Sequence, residues 1–243
     1  MIRGLLGLYR LDVFARFFLL YLLGAVIAGG TLPPLREFVI AFLISGISLN
    51  FVYSLNSWAD ADIDAINKPH RPIPAGLVTR QQALLYSLVL LGASLAYPFL
   101  LFGLSAKALL FLWFPVAGIL YSNPAYPFKK KRLLALFLIT ATVLVTALFG
   151  YVANGGVFDT QFYFFALLLL VACASLVPLK DLPDVAGDRA YGAENWFSDD
   201  TPRGGILSRF PPNKLYRFVT IASIIVLALA IVYLIDARST SIF

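Results

Sequence analysis

A chain of 243 residues in which 60% are apolar and only 13% charged lies far from the soluble norm, where about 25% of residues are charged. A mean hydropathy of +0.84 excludes a water-covered bundle, because nothing this apolar presents enough polar surface to water. One cysteine and one histidine exclude internal disulfides, cysteine-based zinc sites and histidine relays, and the net charge of +6 needs no nucleic acid where anionic lipid headgroups attract it equally well.

Crossing a hydrocarbon core about 30 Å thick takes roughly 20 helical residues. Seven runs approach that length: 13–30, 38–55, 81–103, 108–121, 133–153, 160–179 and 218–235. The first is not expected to be a cleavable signal peptide, since no small-residue cleavage site follows it and the next segments are equally apolar. Cys173, inside the sixth run, reads as a small packing residue, and His70, between the second and third, as a loop residue. No linker or low-complexity segment divides the chain. The expected fold is therefore all-α: a polytopic transmembrane helical bundle of about seven spans forming a single domain, 1–243.

Seven spans place alternate loops on opposite sides. Only Arg36, Lys107 and Arg238 fall on one side, leaving 16 of the 19 Lys and Arg on the other. That asymmetry assigns the N-terminus and the two long segments, 56–80 and 180–217, to the cytoplasm. The loops opposite are short, so function is expected on the cytoplasmic face.

The acidic residues concentrate on the same face. "NSWADADIDAINKPHRPIPAG", residues 56–76, follows the second run and carries Asp60, Asp62 and Asp64; Asp181, Asp184 and Asp188 follow the sixth. Recurrence at a period of four helices suggests a pseudo-symmetric bundle. If the helix of the second run continues, Asn56, Asp60 and Asp64 lie at i, i+4 and i+8 along one face; Asp181, Asp184 and Asp188 do the same at i, i+3 and i+7. Two facing carboxylate rows repel unless cations lie between them. Mg²⁺ suits the gap, since it takes one or two carboxylates and keeps positions for water and phosphate oxygens. A diphosphate would be steadied by Lys68, Arg71, Lys129, Lys180 and Arg189, and an apolar chamber implies one with a greasy tail, an isoprenyl diphosphate. Two other readings stay open on spacing alone. The carboxylates could pair with interfacial Lys and Arg, or could couple ions in a transporter, whose acids belong nearer the midplane.

These residues resemble the UbiA superfamily of intramembrane prenyltransferases. Asn56, Ser57, Asp60 and Asp64 follow its N-D-x-x-D-x-x-x-D motif, and Asp181, Asp184 and Asp188 its D-x-x-D-x-x-x-D motif. Tyr121 and Lys129 in "YSNPAYPFKKKR" are similar to the Tyr and Lys between the family's fourth and fifth spans. The tail "DAINKPHRPIPAG" looks most like the digeranylgeranylglyceryl phosphate synthase and chlorophyll synthase branch.

The resemblance implies a helical bundle whose central cavity opens to the cytoplasmic face, and two Mg²⁺ ions held by Asp60, Asp64, Asp181, Asp184 and Asp188. Asp60, Asp64, Asp184 and Asp188 are the expected catalytic set. Asn56, Lys68, Arg71, Tyr121, Lys129, Lys180 and Arg189 are expected around the diphosphate. Ionisation would yield an allylic cation captured by a lipid-like or ring acceptor; the alternative is a terpene cyclase of the same family, which quenches the cation within its own chain. Asp62 lies off the row and is expected to be a surface charge. Two departures stand out: Ser57 replaces the family's usual aspartate, and seven expected spans fall short of its usual nine, which would widen the lateral opening or call for a partner subunit.

Overall fold

The computed structural model describes residues 2–29, 31–123, 125 and 128–197, with six helical positions between 221 and 232. Among them all regular structure is helical. In chain order the α-helices are α1 (Ile2–Leu8), α2 (Leu11–Gly29), α3 (Leu35–Leu43), α4 (Leu49–Ala59), α5 (Ala61–Asn67), α6 (Arg80–Phe102), α7 (Ala106–Phe111), α8 (Trp113–Ser122), α9 (Arg132–Ala153), α10 (Thr160–Leu176) and α11 (Val185–Ala190). A π-helical turn, Ile44–Ser48, joins α3 to α4, and 3₁₀ turns span Phe128–Lys130 and Pro178–Asp184.

Five helical stretches are long and apolar enough to cross a membrane: Leu11–Gly29, Leu35–Ala59, Arg80–Phe102, Arg132–Ala153 and Thr160–Ala190. They correspond to five of the seven expected runs. The fourth is instead the shorter stretch Lys107–Ser122, where α7 gives way to α8 at Leu112. The seventh falls largely outside the described residues, as do Arg203, Arg209, Lys214 and Arg217 of the second long segment.

Local chemistry sets the helix starts. Thr79 caps α6 through a reciprocal pair with Gln82, the Thr79 Oγ1 accepting the Gln82 N–H (3.1 Å) and Gln82 Oε1 accepting the Thr79 N–H (3.0 Å). Asp159 caps α10 by accepting the Phe162 N–H at 2.9 Å.

The chain forms two compact units. Unit 1 comprises Met1–Arg16, Phe42–Ala135 and Ala186–Ala193. Here α6 buries Ala83, Ser87, Ser94 and Tyr97 while exposing Leu85, Leu88, Val89 and Leu95. In water that helix would be inside out. In lipid it is sensible, because helices associate through small residues and hydroxyls rather than through the hydrophobic effect. The buried hydroxyls tie α6 to the helix of the second run: Ser87 Oγ donates to Ser54 Oγ (2.9 Å), and Ser48 Oγ lies 2.7 Å from Ser94 Oγ and 3.0 Å from Tyr97 Oη. Beside them Leu8, Val78 and Ala83 form a small core lined by Trp58, Ile73 and Tyr86, which anchors the loop after α5.

Unit 2 comprises Phe17–Ala41, Leu136–Val185 and Glu194–Phe243. Its core joins Ile27, Ala147, Tyr151, Phe162, Phe165 and Leu169. Where α2 meets α9, a Cβ on Gly24 or Gly150 would run into the facing backbone at Ala147 or Tyr21, so glycine sets how closely these helices pack.

Candidate active site

The helix of the second run does continue past the apolar stretch. Backbone bonds from Asp60 N–H to Asn56 O (2.9 Å), Asp64 N–H to Asp60 O (2.7 Å) and Lys68 N–H to Asp64 O (2.8 Å) carry the i→i−4 pattern across the slight break at Asp60. Asn56, Asp60 and Asp64 therefore form the expected row. Asn56 Nδ2 donates to Asp60 Oδ2 at 2.7 Å, while the ammonium of Lys129, on its 3₁₀ turn, donates to Asp60 Oδ1. One turn on, Arg71 Nη1 donates to Asp64 Oδ2 at 2.6 Å. Three separate segments thus place two carboxylates, two cations and an amide together within unit 1.

Asp64 is buried, and that burial pushes its carboxyl above the usual aspartate range even though Arg71 draws it down through charge and hydrogen bonding. Lys68, half-buried at the end of α5, draws it down weakly as well. Tyr121 is half-buried near the C-terminal end of α8. Asp188 and Arg189 lie on α11 in unit 1, Asp188 half-buried and Arg189 exposed.

The second acidic motif departs from the expected α-helical row. Pro178 and Pro183 turn Pro178–Asp184 into a 3₁₀ helix in unit 2, and only Val185–Ala190 resumes α geometry. With about three residues per turn, Asp181 and Asp184 still share a face. Asp181 is buried beside Lys180, whose Nζ donates to Oδ1 at 2.5 Å; Asp184 is half-buried. Asp62 is exposed and paired with Arg80 at 3.1 Å, and His70 is exposed in the loop. Ser57 is buried and donates its hydroxyl to Tyr53 O at 3.0 Å, back onto its own helix.

Sequence reading missed three residues. Arg10, counted only as a basic flank, chelates Asp12 through Nε and Nη2 (both 2.8 Å), lies over the Tyr53 ring and stands within electrostatic reach of Asp64. Asn67 Oδ1 accepts the Gly187 N–H at 2.8 Å. Buried Asn195 donates to Asp181 O at 2.8 Å and accepts the Phe197 N–H. Asn67 stands in the quoted tail of the first motif but carries no expected role there, Arg10 and Asn195 lie outside the motifs, and each partner is distant in sequence or set by a local turn.

The donors around these motifs are oxygens, the class hard divalent cations take. Among the described residues no three or more His, Cys, Asp or Glu stand close enough to hold a metal ion. Oxygen donors of this kind suit Mg²⁺, which takes one or two carboxylates and shares the rest of its shell with water and phosphate.

Residues 17–242 match the family model described as the UbiA prenyltransferase family. A digeranylgeranylglyceryl phosphate synthase of Pyrococcus horikoshii is 30% identical over 212 residues, covering 83% of this chain and 69% of that protein. One from Natronomonas pharaonis is 34% identical over 197 residues, covering 79% and 66%. Across such relatives the chain spans 60% to 69% of their length. A solved UbiA homolog from Archaeoglobus fulgidus, bound to GPP and Mg²⁺, shares the fold with a TM-score of 0.67 at 20% identity, over 97% of this chain and 87% of that one.

Proposed function

Because the chain belongs to the UbiA prenyltransferase family, and its membrane-length helices make it an integral membrane protein, we propose that it transfers a prenyl group from an isoprenyl diphosphate to a lipid-like acceptor. The observation that carries this reading is the cluster of Asn56, Asp60 and Asp64 with Lys129 and Arg71 at the end of a membrane-length helix. Carboxylates and cations already in contact can divide a metal-bearing diphosphate between them. Asp60, Asp64, Asp181, Asp184 and Asp188 would hold two Mg²⁺ ions, which when bound supply positive charge to the departing diphosphate.

The chain's own side chains do the rest. Lys129 and Arg71 pair with Asp60 and Asp64, one turn apart on the row, and would take phosphate oxygens on that side. Lys68 adds charge near Asp64, Lys180 and Arg189 serve the second motif, and Tyr121 orients the head group. Asn56 holds Asp60 in its rotamer. The basic asymmetry of the loops supports a cytoplasmic location for this end, where the expected cavity would open.

The lipid-like acceptor is favoured by the "DAINKPHRPIPAG" tail and by relatives named digeranylgeranylglyceryl phosphate synthase. The test is mass spectrometry of products after incubating the purified chain with Mg²⁺, isoprenyl diphosphates of several lengths and a total lipid extract. A prenylated lipid supports the proposal. Terpene hydrocarbon or alcohol formed without any extract points to the cyclase, and bound but unconsumed diphosphate points to a non-catalytic protein.

A further inference from the structure

A Cβ on Gly187 would lie 2.5 to 2.8 Å from the side-chain amide atoms of Asn67, so that amide would have to move away. The Asn67 amide oxygen meanwhile accepts the Gly187 N–H at 2.8 Å, across 120 residues of sequence. Asn67 closes α5 one turn after Asp64, and Gly187 immediately precedes Asp188 on α11, both within unit 1. One hydrogen bond and one close approach thus join the chain just past the end of the first acidic motif to the end of the second. A six-residue helix such as α11 has little stability of its own, so a fixed point within it sets where its side chains stand.

We propose that Asn67 is a positioning residue that clasps α11 to α5 and so fixes Asp188 relative to Asp64 for shared metal binding. The role rests on the metal-dependent reading above and goes beyond it, since Asn67 itself need touch neither metal nor substrate. Outer-shell partners of this kind alter metal affinity about 10- to 100-fold when removed.

The test uses the full chain in detergent and Mn²⁺ as the probe, its binding followed by electron paramagnetic resonance, with thermal melting and isoprenyl diphosphate consumption measured in parallel. Asn67→Ala and Gly187→Ala are expected to weaken Mn²⁺ binding about 10- to 100-fold. Asn67→Asp, which keeps the acceptor oxygen, stays within a few-fold of the parent. In Asn67→Ala the Mg²⁺ needed for half-maximal consumption rises by more than kcat falls. Because the two residues touch, their effects on melting are non-additive in the Asn67→Ala, Gly187→Ala double variant. Parental Mn²⁺ affinity in Asn67→Ala, equal losses in Asn67→Ala and Asn67→Asp, or no Mn²⁺ binding by the parent overturns the clasp. A parent that consumes no isoprenyl diphosphate yet shows the Asn67-dependent Mn²⁺ binding refutes the proposed function and supports the clasp.

Discussion

Lys129 and Asp60 are joined by an ion pair across 69 residues, both side chains largely withdrawn from solvent. The 3₁₀ turn after α8 thereby sets a cation on the same row of acids that the helix of the second run presents.

If Asp64 and Asp184 hold metal as proposed, Asp64→Ala and Asp184→Ala should each slow turnover on the order of a thousandfold while the helical fold survives, because the charge they support develops chiefly in the transition state. Steady-state consumption of isoprenyl diphosphate, with circular dichroism as the folding control, measures this. Parental turnover in either variant removes that residue from its role.

Arg71 balances a buried carboxylate, its own side chain being 20% exposed and that of Asp64 5%. Removing one partner of a buried pair costs about 3–5 kcal/mol, so Arg71→Ala should lower the melting temperature clearly at neutral pH. Burial already raises the Asp64 carboxyl, and a raised group favours the folded state below its unfolded pKa and loses that contribution as pH rises through its folded pKa. The Arg71→Ala penalty should therefore shrink on acidification. Melting curves across pH read it, and a penalty that grows in acid would contradict the assignment.

Ser57 spends its hydroxyl on Tyr53 O, inside the helix. Ser57→Ala should leave the Mg²⁺ requirement within about twofold of the parent, since such back-bonding contributes little to a helix. Ser57→Asp should not lower that requirement. A lowered one would show that the position faces the metal after all.

Ser94→Ala removes a bond between α6 and the π-helical turn beneath α4. Interhelical bonds of this kind are worth about 0.6 kcal/mol on average and up to about 1.7. The expected melting shift is correspondingly small, and turnover should be unaffected.

Much of this arrangement is legible in the sequence because membrane helices need only length and apolarity, and a carboxylate row needs only helical spacing. Asp60 and Asp64 align for that reason. The second motif bends differently because Pro178 and Pro183 withhold backbone donors and tighten the turn, a local rule that spacing of the aspartates alone does not express. The break at Leu112 falls inside the fourth run without any change of hydropathy to announce it, while the run's short length is already visible in the sequence. Arg10, Asn67 and Asn195 were hidden because their roles come from tertiary contacts with Asp64, Gly187 and Asp181, and no periodicity within the chain encodes them.

The most direct measurement is consumption of a radiolabelled isoprenyl diphosphate by the purified chain, first with EDTA and then with Mg²⁺ restored. Consumption should vanish with the chelator, return with Mg²⁺, and stay absent in Asp60→Ala under both conditions. Turnover that persists in EDTA, or an Asp60→Ala variant as active as the parent, would contradict a metal-assisted reaction at these aspartates.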